Sequence, residues 1–159
     1  MRGPYGRIDR LIKEKRHDAY QEKTKWPEPT LCSKCGAVFV NGRWTWNEVI
    51  GEANETVCPA CQRIADRYPA GQIEIKGSFF KVHRHEILNL IRNVEAQEKS
   101  ERPLERIIST SSRQKSTLIT TTGIHIARRI GEALASAYQG DLSLQYLDGE
   151  QSIRVSWQR

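Results

Sequence analysis

The sequence predicts an α+β protein in two parts. A small four-cysteine module of the treble-clef or zinc-ribbon kind is followed by a β-α-β-α-β-β sandwich domain, and three observations predict this. All four cysteines of the 159-residue chain stand in two Cys-x-x-Cys pairs, Cys32-Ser-Lys-Cys35 and Cys58-Pro-Ala-Cys61. Two apolar stripes recur at helical spacing, one through Ile87, Leu88, Ile91 and Val94, the other through Ile126, Ala127, Ile130, Ala133, Leu134 and Ala137. Around them lie segments that alternate as strands do, and that order gives one sheet with both helices on a single face.

In chain order, residues 1–31 form a basic arm, with eight Lys or Arg against five Asp or Glu. Its short stripe of Ile8, Leu11 and Ile12 is too small to make a core, so it is either a solvated tail or an arm that orders on a partner. Trp26-Pro27-Glu28-Pro29 stiffens the approach to residues 32–68, because each proline pushes its predecessor to extended backbone. Inside that module, Asn41-Gly42 supplies the positive φ angles of a tight hairpin turn, and Phe39 and Trp44 can pair across it. Pro59 tolerates the first turn of a helix, so a helix carries the second cysteine pair. Tyr68-Pro69-Ala70-Gly71 breaks that helix, and the α+β domain of residues 69–159 begins.

Gln72 to Lys76 alternates as a strand. The first long helix spans about His85 to Lys99, with Leu104, Ile107 and Ile108 extending its pattern past the break at Pro103. Ser109 to Ser116 reads as a polar loop, and Thr117 to Thr122 as a strand. A second helix opens at Thr122-Gly123, runs to about Tyr138 and stops at Gly140. Leu142, Leu144 and Tyr146, then Ile153, Val155 and Trp157, alternate on either side of Asp148-Gly149 and make a closing hairpin.

Two facing Cys-x-x-Cys pairs suit tetrahedral thiolate ligation of Zn²⁺ by Cys32, Cys35, Cys58 and Cys61. Two redox dithiols, an iron–sulfur cluster or two disulfides are the competing uses of the same cysteines. With four protein ligands no position is left for a substrate, which makes a zinc ion here structural.

The net charge of +6 and a pI near 9.3 point to a polyanionic partner. Candidate nucleic-acid contacts are Arg7, Arg10, Lys13, Lys15 and Arg16 on the arm, then Lys34, Arg43, Arg63 and Arg67 on the module. Trp44 is a candidate for stacking on a base, unless it and Trp46 are buried. His125, Arg128 and Arg129 stand beside the amino end of the second helix, where unpaired N–H groups can hold a phosphate; a solvated helix face is the alternative. His83-Arg84-His85-Glu86 reads as solvated charge, because neighbours one and two apart diverge on a helix.

The chain has no Gly-rich phosphate loop, no Gly-x-Ser-x-Gly elbow and no cysteine outside the two pairs, so no enzyme, no small-molecule substrate and no membrane partner is expected. No apolar run reaches the length of a membrane span, and the amino terminus lacks an apolar signal region, which leads to the expectation of a cytoplasmic protein. The alternative class is a transcription or signalling regulator that uses the zinc hairpin as a protein–protein surface.

At Cys58-Pro-Ala-Cys-Gln-Arg-Ile64 and Tyr68-Pro-Ala-Gly-Gln-Ile-Glu-Ile-Lys-Gly77 the sequence resembles the Nmd-three family of large-ribosomal-subunit adaptors of archaea and eukaryotes. The likeness resumes at Gly123-Ile-His-Ile-Ala-Arg-Arg-Ile-Gly131 and at Ile153-Arg-Val-Ser-Trp157. With Arg10-Leu-Ile-Lys-Glu-Lys-Arg-His17 and Gly42-Arg-Trp-Thr-Trp46, the chain also looks like small bacterial proteins that share this core. The family's further cysteine pairs, barrel domain and eukaryotic export signals are not in this sequence, so nuclear export does not carry over. The resemblance implies zinc on the four cysteines and the large ribosomal subunit or its rRNA as partner. A short relative of this kind would block subunit joining, shelter an idle ribosome in hibernation, or assist assembly.

Overall fold

The computed structural model describes residues 26–159. Residues 1–25 of the basic arm, including Arg7, Arg10, Lys13, Lys15 and Arg16, lie outside the described residues, and Trp26 to Leu31 belong to the first folded part.

The first part is a mixed four-stranded sheet and one helix. Strands β1 (Thr30–Cys32), β2 (Val38–Val40), β3 (Arg43–Thr45) and β4 (Asn54–Thr56) order as β3-β2-β1-β4, with β1 antiparallel to β2 and parallel to β4. The Asn41-Gly42 turn forms as the sequence predicts, with φ 55° and 80°, and sets Phe39 opposite Trp44. Glu28 holds the turn, its carboxylate accepting from the Asn41 N–H at 2.6 Å and from Gly42 at 3.3 Å. The hairpin is thus half of a larger sheet. Strands β1 and β4 have three residues each and no apolar alternation, so only their backbone pairing identifies them. Helix α1 (Pro59–Asp66) starts with Cys58 as N-cap and Pro59 in its first turn, and ends at Arg67 in the left-handed conformation.

The second part is a five-stranded sheet under two long helices. Its elements are β5 (Gly71–Lys76), α2 (Ser78–Val82), α3 (Arg84–Glu101), β6 (Ile107–Ser112), β7 (Ser116–Thr121), α4 (Ile124–Tyr138), β8 (Asp141–Leu147) and β9 (Ser152–Gln158). The strand order is β6-β7-β5-β9-β8, and β5–β9 is the one parallel pair of neighbours. Strand β7 lies between β5 and β6, which makes β5-α3-β6 a split β-α-β unit. Ile73, Ile75, Ile119, Val155 and Trp157 from the sheet meet Ile87, Ile91, Ile126, Ile130 and Leu134 from α3 and α4 in one core. Each such side chain contributes roughly 1.5–3 kcal/mol on burial.

The structure corrects four expectations. Ile107 and Ile108 do not extend the helix: Arg102, before Pro103, turns to extended backbone and ends α3. The Ser-rich segment is a loop only at residues 113–115: Ser109 to Ser112 belong to edge strand β6, exposed and held by backbone pairing to β7, and Ser116 begins β7. With short helix α2 added, the order becomes β-α-α-β-β-α-β-β. Ala137 is exposed rather than inward-facing, because the buried face of the last turn of α4 runs through Leu134 and Tyr138.

The two parts touch through the last turn of α3 and the segment between α3 and β6. The Trp46 indole N–H donates to the Lys99 carbonyl at 2.7 Å, and Leu104 packs against the cysteine cluster.

Candidate metal centre

The cysteine pairs come from opposite ends of the module and meet. Cys32 ends β1 and Cys35 closes the knuckle after it, while Cys58 caps α1 and Cys61 lies in its first turn. The four Sγ atoms lie within 4.8 Å of one another, and Cys32–Cys61 and Cys35–Cys58 are each 3.8 Å apart. Sulfurs bonded at about 2.3 Å to a tetrahedral ion have an edge of about 3.8 Å, so the spacing fits a metal; a disulfide needs about 2.05 Å. Backbone N–H groups point at the cluster, from Lys34 and Cys58 to Cys32 Sγ at 3.4 and 3.2 Å, and from Cys61 to Cys58 Sγ at 3.4 Å. These four cysteines can hold a metal ion.

The fifth member of the centre is Arg106. The residue is 6% exposed and its guanidinium lies against three sulfurs: Nη1 donates to Cys61 Sγ at 3.2 Å, and Nη2 to Cys35 at 3.1 Å and Cys58 at 3.4 Å. Nε donates to the Pro103 carbonyl at 2.7 Å, which fixes the plane of the fork. Thr122 fixes the backbone below it. Its N–H donates to the Arg106 carbonyl, its Oγ1 accepts from the Arg106 N–H, and its hydroxyl donates to the Leu104 carbonyl. Sequence reading missed Arg106. It lies 45 residues from Cys61, and no spacing rule links an arginine to a cysteine pair across that distance.

Burial, backbone N–H groups and Arg106 act differently on the thiols of the cluster. Burial raises the Cys32 thiol, but the N–H groups of Cys58, Cys35 and Lys34 outweigh it and bring the pKa down to about 6. Burial and the neighbouring thiolates push Cys58 well above the usual thiol range, and burial also raises Cys61 against the pull of Arg106. Burial opposes the charge on Arg106, yet its bond to Cys61 and the nearby thiolates hold it more firmly protonated than usual. Four thiolates around a divalent ion leave two negative charges in excess; Arg106 offsets one of them.

The predicted nucleic-acid contacts divide. Lys34, Arg43 and Arg67 are exposed, and no carboxylate pairs with them among the described residues. Arg63 is 5% exposed and turns inward, donating to the Tyr68 carbonyl at 2.9 Å, so it is not a surface contact. Trp44 is 9% exposed, edge-on to Phe39 and Trp26 at 5.5 and 5.9 Å between ring centres, and offers no face to a base. The outward residue of the pair is Trp46, whose indole is tied to Lys99.

At the amino end of α4 the chain supplies its own anions. Glu105 Oε1 accepts the Ile126 N–H at 2.9 Å, and burial raises that carboxyl's pKa. Gly123 admits this approach, since a Cβ there would lie 2.3 Å from both carboxylate oxygens. Glu98, buried on α3, takes His125 Nε2 at 2.8 Å and Arg129 Nε at 3.4 Å. Arg128 donates to the Tyr146 hydroxyl at 3.0 Å. The phosphate site expected here is therefore filled by Glu105, and of the three side chains only Arg128 keeps a charge with no carboxylate on it.

The His83-Arg84-His85-Glu86 run does not converge either. His83 stacks on Phe79 and pairs with Glu86, Arg84 turns to Thr117 and Ser112, and His85 is exposed. No helix among the described residues is long and apolar enough to cross a membrane. No family model, curated protein or solved structure matches this chain.

Proposed function

We propose that this chain is a zinc-stabilised, non-enzymatic protein that binds the large ribosomal subunit or its rRNA. Sulfur-only ligation at tetrahedral spacing selects zinc among common divalent ions, and four ligands capped by Arg106 leave no open position for chemistry. Knuckle, hairpin and a helix carrying the second pair are the parts of a treble clef. The segments that carry the resemblance to the ribosomal adaptors are residues 58–64, with Cys58 and Cys61 at this centre, residues 68–77 through β5, residues 123–131 in α4 and residues 153–157 in β9.

One observation carries the nucleic-acid reading: Lys34, Arg43 and Arg67 stand exposed on the metal module without acidic partners among the described residues. Unpaired cations of this kind are what a phosphate backbone attracts. The full chain should sediment with large subunits at low salt and dissociate as salt rises. Lys34→Glu with Arg43→Glu should reduce the slope of log affinity against log salt by roughly 2. A chain that stays at the top of a low-salt gradient would end this reading.

Ile50 in the β3–β4 loop is 96% exposed and Trp46 is 36% exposed, and these favour a second reading as a protein–protein surface. Salt-insensitive binding of one protein, lost on Ile50→Asp, is the result that would select it.

A further inference from the structure

A second cationic centre lies at the far end of the five-stranded sheet. Lys76 and Ser116 face each other at the ends of β5 and β7, next to Gln158 of β9 and Asp141 of β8. Beyond them opens a cleft of about 690 Å³, walled by α2 and by the Arg113-Gln114-Lys115 turn between β6 and β7. That volume is within the ordinary range of small-ligand sites. Six cations line it: Lys76, Lys81, Arg84, Arg113, Lys115 and Arg159; Asp141 is the sole acidic side chain among the lining residues.

Most of this charge has no carboxylate paired with it among the described residues. Lys76 reaches Glu74 at 4.0 Å, and none of the other five has an acidic side-chain partner among the described residues. The contrast with the amino end of α4 is direct, where Glu98 and Glu105 neutralise the site. Two of the guanidiniums are also held in place by neutral groups. Arg84 Nη1 donates to Thr117 Oγ1 at 2.8 Å, Nη2 donates to Ser112, and the group lies 5.6 Å from the Phe80 ring centre. The Arg159 guanidinium lies 4.0 Å from the Phe79 ring centre and donates to the Tyr138 carbonyl at 2.7 Å; neither partner lines the cleft, so this group is directed toward α2 and the end of α4. Positioning a cation with neutral oxygens and ring faces leaves its charge for a ligand.

We propose that this cleft binds a small ligand carrying two or more phosphate groups in a row, the chemistry of a nucleoside diphosphate or triphosphate. Cations converging from three segments exceed what one phosphate can occupy. Phe80 is buried and cannot stack on a base, so recognition is of the phosphates and not of the base. This departs from the sequence-based expectation of no small-molecule partner, and it does not depend on the ribosomal reading.

The test is calorimetric titration of the full chain with tripolyphosphate, ATP and GTP, alongside competition against a fluorescent ten-nucleotide RNA. Tripolyphosphate and both nucleotides should bind with similar affinity. Lys81→Glu with Lys115→Glu, both exposed side chains, should weaken all three at least tenfold, and Lys34→Glu with Arg43→Glu should not. In the unsubstituted chain, tripolyphosphate should shield Lys81 and Lys115 from an acetylating reagent and leave Lys34 reactive. Absence of binding at millimolar ligand overturns the proposal, as does equal binding by the cleft variant. RNA that depends on Lys81 and Lys115, and that ATP cannot displace, overturns it too, because the cleft would then be a track for a nucleic-acid backbone.

Discussion

At the scale of single residues, the centre depends on an arginine as well as on four cysteines. Groups that hydrogen-bond metal ligands typically change metal affinity 10–100-fold when removed, and Arg106 bonds to three of the four sulfurs. Arg106→Ala should therefore raise the rate or extent of zinc transfer to a chromophoric chelator by roughly that factor. Arg106→Lys should restore little of it, because one ammonium cannot match a fork that reaches Cys35, Cys58, Cys61 and Pro103 together. Equal zinc retention in all three proteins would show that Arg106 is packing and nothing more. The cysteines were legible in the sequence because ligand spacing is local. Arg106 was not, because its place is set by Thr122, Pro103 and the end of α3.

At the scale of elements, helix α4 governs how closely the layers approach. Gly71 in β5 lies under it, where an added Cβ would meet Thr121 Oγ1 at 2.4 Å, the Ala127 Cβ at 2.6 Å and the Gly123 carbonyl at 3.1 Å. The last two cannot swing aside, so the strand or the helix has to move. Overpacking of this kind costs about 1–3 kcal/mol, and Gly71→Ala should lower the urea midpoint correspondingly without changing the slope of the transition. An unchanged midpoint would mean that the β5–α4 contact is looser than described. Both long helices could be read from their apolar spacing, since α3 and α4 each bury one face on the same core. Strand β6 could not: Ile107-Ile-Ser-Thr-Ser-Ser112 buries little, and its identity comes from backbone bonds to β7.

At the scale of the whole molecule, the two parts differ in what holds them. The module has a buried apolar cluster of Cys32, Ala37, Phe39, Trp44, Cys58 and Ala60, two of which are ligands, whereas the α+β part buries thirteen residues in one core. A cluster that small does not offset the entropy of ordering strands β1 to β4 without a cross-link. Removing the ion with a chelator under reducing conditions should shift Trp44 fluorescence to that of a solvated indole and abolish amide-exchange protection in residues 30–57. Amides of β5, β7 and β9 should stay protected, and their simultaneous loss would show that the metal supports both parts. The 103–106 segment, tied to the sulfurs through Arg106, should exchange faster than the rest of the α+β part.

The sequence by itself determined which four cysteines could hold a metal ion, the Asn41-Gly42 turn, the two long helices and the basic balance of the chain. Each is written in residues close together, through ligand spacing, φ preference, helical period or simple charge. Only the tertiary structure decided which cations remain available. Arg63 and Arg106 are drawn inward, Arg129 and His125 are matched by Glu98, and the phosphate-like position at the amino end of α4 is taken by Glu105. The cleft lined by Lys81, Arg84 and Lys115 had no sequence signature, because its walls come from segments that meet only when β5, β7 and β9 align their ends. Charge is counted along the chain, but whether a charge is spent depends on which carboxylate the fold brings next to it.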